Sequence, residues 1–275
     1  MKYVRKHPGS FLIKLVVHLS SVLVAAILLF LIGYILVKGV PHLKPSLFAL
    51  QYNTENVSML PSIINTVIIA LCSLVIAAPL GIGSAIYLVE YSKRGSKLVK
   101  LIRVTTETLS GIPSIVYGLF GMLLFVTYLK FGYSILAGAL TLAVMILPVI
   151  MRTTEEALKA VPDAYREASF GLGAGKLRTV FRAVLPSAVP GILAGVILSV
   201  GRIVGETAAL LYTSGSDTAL PKGLMSSGRT LAVHMYALSS EGLYTNEAYA
   251  TAVILLIFVL GINTLSASLA RRLTR

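Results

Sequence analysis

The chain has no tryptophan and one cysteine, Cys72, among its 275 residues. A single cysteine cannot close an intrachain disulfide, and inside an apolar run a lone thiol packs as a small hydrophobe. With only 4 histidines beside it, no Cys/His cluster at metal-ligand spacing can be drawn. The metalloprotease pattern HExxH is absent, and so is the phosphate-cradling GxxxxGK[ST]. Gly171–Lys176 offers glycines and a lysine at the wrong spacing. Charge is scarce as well: 13% of residues, against about 25% in soluble proteins. Acids are fewer than bases, 11 to 24, and no aspartate falls within an apolar run. These absences argue against a disulfide scaffold, a metal hydrolase, an intramembrane aspartyl protease and a chain that cradles ATP by itself.

What fills the space is hydrophobic, 56% of the chain. Five runs carry no charge at all: Leu15–Val37, Ser62–Val89, Thr108–Thr127, Ser134–Met151 and Ala248–Ala270. A sixth, Ala188–Leu211, carries Arg202 and Glu206. Each is about the length that crosses a hydrocarbon core as a helix. The expectation is an all-α polytopic membrane protein with six transmembrane helices. The basic start before Leu15 resembles a signal peptide. The run is longer than a signal core and ends in no small-x-small site, so an uncleaved first span is expected. His18 within it reads as a packing residue. Gly81 and Gly83 read as sites of close helix contact. Between Tyr212 and Ala248 lies a long polar connection whose structure the sequence leaves open.

Six crossings put both ends on one side, and the basic residues say which. Lys2, Arg5, Lys6 and Lys14 precede the first span, and five more lie between Lys93 and Arg103. Six lie between Arg152 and Arg182, and Arg271, Arg272 and Arg275 close the chain. The opposite side holds Lys38, Lys44, Lys130, Lys222 and Arg229. A positive excess marks the cytoplasmic face, so both termini are expected there, in a cytoplasmic membrane. The net charge of +13 therefore speaks for membrane topology and not for nucleic acid.

The amphipathic, charge-bearing interruption Thr154–Pro186 reads as two short helices around a glycine-rich turn. Asp163 is a candidate N-cap for the first. Leu177, Val180, Phe181 and Val184 give the second an apolar stripe. Gly173 is a candidate for positive φ in the turn. Read as pattern alone, such a segment is a docking knob or an amphipathic surface helix; close flanking spans disfavour a DNA-reading helix-turn-helix.

Glu167-Ala168-Ser169, Gly173 six residues after the glutamate, and Leu185-Pro186 resemble the EAA loop of ABC importer permeases. Ser169 stands where that motif has alanine, and Ala183 where isoleucine is common. The resemblance implies that these residues couple the chain to an ATPase subunit. It implies a single transmembrane domain over 1–275 of the MetI-like importer fold, with a permease core at about 60–270 and a cytoplasmic coupling loop at 152–187.

Arg202 and Glu206 are spaced to share a helix face, and ionisable residues inside spans are costly and face cavities or partners. They read either as a structural pair or as an anion pathway. Arg152 ends the fourth run as a snorkelling anchor or a pathway residue. The stretch RIVGETAAL resembles the RxxGET signature of phosphate permeases, with Ala209 where proline is frequent, and the wider chain is similar to their A-type subunit. That resemblance implies a pathway for phosphate through Arg202, Glu206 and Arg152. It implies a homologous C-type second permease, two ATPase copies carrying ATP and Mg, and an extracytoplasmic phosphate-binding protein. It implies no cofactor on this chain and no catalysis by it. A permease for sulfate, molybdate or phosphonate, or a membrane scaffold with no pathway, remains the alternative.

Overall fold

The computed structural model describes residues 8–93 and 95–273, with side chains described from residue 12 to 268. Lys2, Arg5, Lys6, Arg94 and Arg275 of the basic count lie outside the described residues. Every regular element among the described residues is a helix, as expected where lipid leaves backbone groups no water to bond.

Helix α1 (Pro8–Gly39) stands apart. Its apolar side chains from Leu12 to Val37 are almost all exposed. It touches the rest at its end, where Tyr34 meets Tyr249 edge-on at 5.9 Å. Gly39 is needed there, because a Cβ would strike the Tyr249 carbonyl. His18 on α1 is exposed, and its Nδ1 lies 2.7 Å from the Lys14 carbonyl. It is satisfied locally and packs against no core.

The bundle proper is built on α2 (Leu60–Ile86, continued by a π-helical turn Tyr87–Tyr91) and α5 (Ile135–Lys159). Ser134 caps α5 by accepting from the Ala137 N–H at 3.2 Å. Gly81 lets the two helices approach, since a Cβ would come within 2.9 Å of Ile150. Gly83 faces open space and makes no such contact. Ile69, Ala77, Leu142, Met145, Ile146 and Ile150 fill the seam. Ser73 crosses it, donating to the Ala139 carbonyl at 3.1 Å. Cys72 on α2 is only half-buried.

The third span departs from expectation. The basic stretch after Glu90 is itself a helix, α3 (Lys97–Ser110). A break at Gly111–Pro113 turns the chain by 103° into α4 (Ser114–Gly121, continued to Tyr128). Pro113 disfavours helix in the residue before it and starts the next one cleanly. The apolar run Thr108–Thr127 is thus split across a bend. Among the described residues five single helices are long and apolar enough to cross a membrane, six if this bent pair is counted as one span.

After α5 come α6 (Asp163–Gly171) and α7 (Lys176–Thr179). α7 runs through a π-helical turn, Val180–Val184, straight into α8 (Leu185–Val204). The second short helix of the loop is therefore the start of the fifth span. Gly195 packs against Thr153 and Gly191 against Ala157, seating α8 on α5. The chain then breaks and forms α9 (Ala208–Leu211). The polar connection contains α10 (Leu231–Glu241), capped by Thr230 and ended by Gly242 at φ 72. α11 (Thr245–Leu273) closes the bundle beside α8 and α1.

Candidate functional site

Two regions hold the residues singled out by sequence. The first is the α6–turn–α7 knob. Gly173 sits in the turn at φ +80 with open space around it, so conformation and not packing requires glycine. Its N–H donates to the Phe170 carbonyl at 2.9 Å, and the Ala174 N–H to the Ser169 carbonyl at 3.1 Å. Ser169 ties the helices together through a 2.8 Å hydrogen bond between its hydroxyl and that of Thr179. The serine in place of alanine thus has a structural use. Pro162, not Asp163, occupies the N-cap position of α6. Asp163 instead pairs with Arg166 one turn on, at 3.2 Å.

The stripe on the second helix divides. Val180 and Val184 are buried, with Ala188 continuing their line, whereas Leu177 and Phe181 point outward. With Leu172, 89% exposed, and Tyr165 they leave the knob apolar on its outer side. A groove of about 730 Å³ runs along it, lined by Tyr165, Ala168, Ser169, Leu172, Arg182 and Pro186 among others. The structure therefore brings Ala168, Ser169 and Pro186 together. Glu167 is exposed on α6, with no ion pair among the described residues. Leu185 packs inward against a second core cluster with Leu158, Val184 and Ala188.

Sequence reasoning missed what holds this knob in place. Arg166 donates from Nη2 to Glu90 Oε1 at 2.7 Å and from Nε to the same oxygen at 3.2 Å. It also donates to the Leu158 and Val161 carbonyls, at 3.0 and 2.8 Å. Both side chains are largely buried, 16% and 8% exposed. One guanidinium thus joins α6 to the ends of α2 and α5. Beside it, buried Glu155 receives Arg103 at 2.7 Å and Lys159 at 2.6 Å, pinning α3 to α5. Those contacts on Glu155 Oε1 are close ion pairs whose angles fall short of hydrogen bonding.

The second region surrounds Arg202. It lies in the last turn of α8, half-buried, and lines a groove of about 690 Å³ with Val149, Ile197, Leu198, Val259 and Asn263. Apart from Arg202 and Asn263 the walls are apolar. Glu206 is not its partner. The helix ends at Val204 with Gly205 as C-cap, so the two residues share no helix face. No ion pair joins them. Glu206 is buried, and its Oε1 accepts from the Ala209 N–H at 3.1 Å, capping α9. Gly201 and Gly205 are not crowded: a Cβ at Gly201 would lie 3.7 Å from Asn263. Arg152 is exposed and pairs with Glu156 at 3.0 Å, on a separate groove. It follows Val149 by three residues, on the same face of α5, one turn from the Arg202 groove. Asn263 is the residue sequence reasoning overlooked, although a lone amide in the Ala248–Ala270 run was a visible signal.

Residues 77–275 match the family model described as binding-protein-dependent transport system inner membrane component. The chain is 36% identical over 268 residues to the probable ABC transporter permease protein YqgI of Bacillus subtilis (strain 168), covering 89% of each. It is 36% identical over 233 residues to the phosphate transport system permease protein PstA of Pasteurella multocida (strain Pm70), covering 83% of this chain and 82% of that one. Among solved structures, the inward-facing MetNI methionine ABC transporter superposes with a TM-score of 0.60. That match covers 78% of this chain and 94% of the other at 21% identity, a likeness of fold alone. An all-α bundle with these crossings, a helical knob between the fourth and fifth, and a match over most of the sequence lead to one assignment: the chain belongs to the binding-protein-dependent inner membrane components, the permease subunits of ABC importers.

Proposed function

We propose that this chain is the A-type half of a membrane pathway for inorganic phosphate, driven by ATP hydrolysis on a separate subunit. The observation that carries the reading is Arg202, a permanently charged fork at the end of α8 in a groove otherwise apolar except for Asn263. Phosphate cannot cross lipid without compensation, and a guanidinium matches its oxygens in charge and geometry. A single fork with no carboxylate partner binds weakly enough to release its cargo. The groove is open on one side, which suits completion by a homologous C-type permease. Arg152, one turn further along α5, serves as a second positive point on the route. Glu206 holds the break between α8 and α9, keeping Arg202 at a helix end.

In the same reading the α6–turn–α7 knob faces the cytoplasm with both termini. Its outward Tyr165, Leu172 and groove residues dock one of two ATPase copies, which carry ATP and Mg. An extracytoplasmic phosphate-binding protein delivers cargo at the other face. The relatives named as phosphate permeases support the choice of anion.

The test is radiolabelled phosphate flux per assembled complex in proteoliposomes holding both permeases, the ATPase and the binding protein. Arg202→Ala should lower flux strongly while the complex and its ATPase persist, and Arg202→Lys should restore part of it. Wild-type flux in Arg202→Ala would refute the pathway role. Sulfate with a matching binding protein, carried where phosphate is not, would refute the substrate.

A further inference from the structure

Away from the Arg202 groove and the knob, another arginine is buried with its hydrogen-bonding capacity unspent. Arg229 precedes α10 and is 4% exposed. Its Nε and Nη2 have no hydrogen-bond partner, and no carboxylate lies within ion-pair distance among the described residues. Among the described residues its one charge-compensating contact is the Tyr52 ring, 4.9 Å from the guanidinium. The backbone around it is fixed: its N–H donates to the Asp217 carbonyl at 3.0 Å, and its own carbonyl accepts from Asn65 Nδ2 at 3.2 Å.

Two more polar groups end here unpaired. Asn65 on α2 is fully buried, and with Nδ2 committed its Oδ1 is left as an open acceptor. His234 on α10, also fully buried, meets Tyr52 edge-on at 6.2 Å; among the described residues neither ring nitrogen makes a hydrogen bond of full geometry, although the Val57 backbone is near enough to interact with the ring. Burial first, and then the Arg229 charge, lower its pKa to about 3; the nearby Val57 backbone offsets this only in part. The ring is therefore neutral at physiological pH, with one donor and one acceptor. α2 reaches from Asn65 here to Glu90 at the knob, so this cluster sits at the opposite end of the bundle from the α6–α7 turn.

The chemistry of this set is mixed. A buried, uncompensated guanidinium calls for negative charge. The open acceptors on Asn65 and His234 call for a hydrogen-bond donor. A fully deprotonated oxyanion meets only the first demand, and water meets only the second. A partly protonated oxyanion meets both: its oxygens accept from Arg229, and its O–H donates to Asn65 Oδ1 or the His234 nitrogen. We propose that Arg229, Asn65 and His234 form a second station for the transported anion, opposite the knob, that takes hydrogen phosphate in preference to sulfate. The station rests on the phosphate reading above and extends it. A site that hydrogen-bonds a substrate O–H rejects an analogue lacking it far more strongly than a site built on charge alone.

Asn65→Asp tests it in the assembled importer. The carboxylate is close to isosteric, gives Arg229 an internal counter-charge and removes its need for an anion. Phosphate flux per assembled complex should fall at least tenfold with the ATPase still recovered at wild-type level. Arg229→Gln, which removes the charge, should give a similar fall. Wild-type flux in either variant would show that transport needs no anion at these groups, and would overturn the proposal without touching the function. Loss of flux fully explained by loss of assembled complex, in both variants, would make the cluster structural and overturn it equally. A wild-type importer that carries sulfate and not phosphate would overturn both the functional reading and this station.

Discussion

Replacing Arg166 by alanine removes a two-point contact with Glu90 and two contacts with carbonyls at the end of α5. The larger consequence falls on Glu90, whose side chain is 8% exposed and would be left without its cation. Breaking a buried pair from one side costs about 3–5 kcal/mol. The whole bundle need not unfold to relieve that strain. Apart from Arg166 itself and the half-buried Ser169, the nine residues of α6 are exposed, so the local remedy is for the knob to swing away. At about 1.4 kcal/mol per decade, protection of the 163–175 amides should drop by a hundredfold or more. Glu90→Gln should do less, because the neutral amide is cheaper to leave partly satisfied. Adding Glu90→Gln to Arg166→Ala should recover part of the loss, since no orphan carboxylate remains. Hydrogen exchange on the purified complex reads the knob directly, and recovery of the ATPase reads its consequence. Unchanged exchange over 163–175 in Arg166→Ala would refute the claim that this guanidinium holds the knob, whatever happened to transport.

Gly173→Val places a β-branched residue at φ +80 and should cost about 1–2 kcal/mol in the turn, lowering ATPase recovery without loss of membrane insertion; equal recovery would remove this turn from the docking surface. Glu206→Ala should destabilise the α8–α9 break by about 1–2 kcal/mol, seen as a lower melting temperature, whereas Arg202→Ala should not. His234 predicts a pH effect with a definite sign. Free histidine gains its proton near 6.5, while the folded residue resists until about 3. Stability is therefore full above pH 6.5 and declines as pH falls toward 3, by about 2 kcal/mol between pH 7 and 5. Thermal unfolding at the two pH values, with His234→Phe as the variant that flattens the difference, checks this.

The apolar runs were legible because charge is so rare here that its positions alone mark the helix ends. The boundaries that failed did so for local reasons. Thr108–Thr127 stays apolar across Pro113, so composition hides a bend that the proline should have announced. α3 was lost behind its lysines, although Leu98, Leu101, Ile102 and Thr105 recur at helical spacing. The assumed pairing of Arg202 with Glu206 required an unbroken helix, and Gly205 between them was a readable stop signal. Contacts such as Arg166 with Glu90, 76 residues apart, leave no mark in a single sequence. The same holds for Arg229 and Asn65, which meet only because α10 folds back beside the start of α2.

The uninterrupted course of the chain from Lys176 to Val204 makes the knob and the Arg202 groove two ends of one rod. At 1.5 Å per residue, Lys176 and Arg202 are about 40 Å apart along it. A rod pivoting on the close Gly191 and Gly195 contacts with α5 works as a lever whose fulcrum lies nearer the arginine than the knob. Under the proposed function, travel at the knob becomes a smaller displacement at Arg202. Its compliance is concentrated near the driven end, in the π-helical turn at Val180–Val184 and at Pro186 and Pro190, so small jostling there is absorbed before it reaches the load. Under the proposed function, a linkage of this kind transmits a large stroke and damps a small one, as a clutch does.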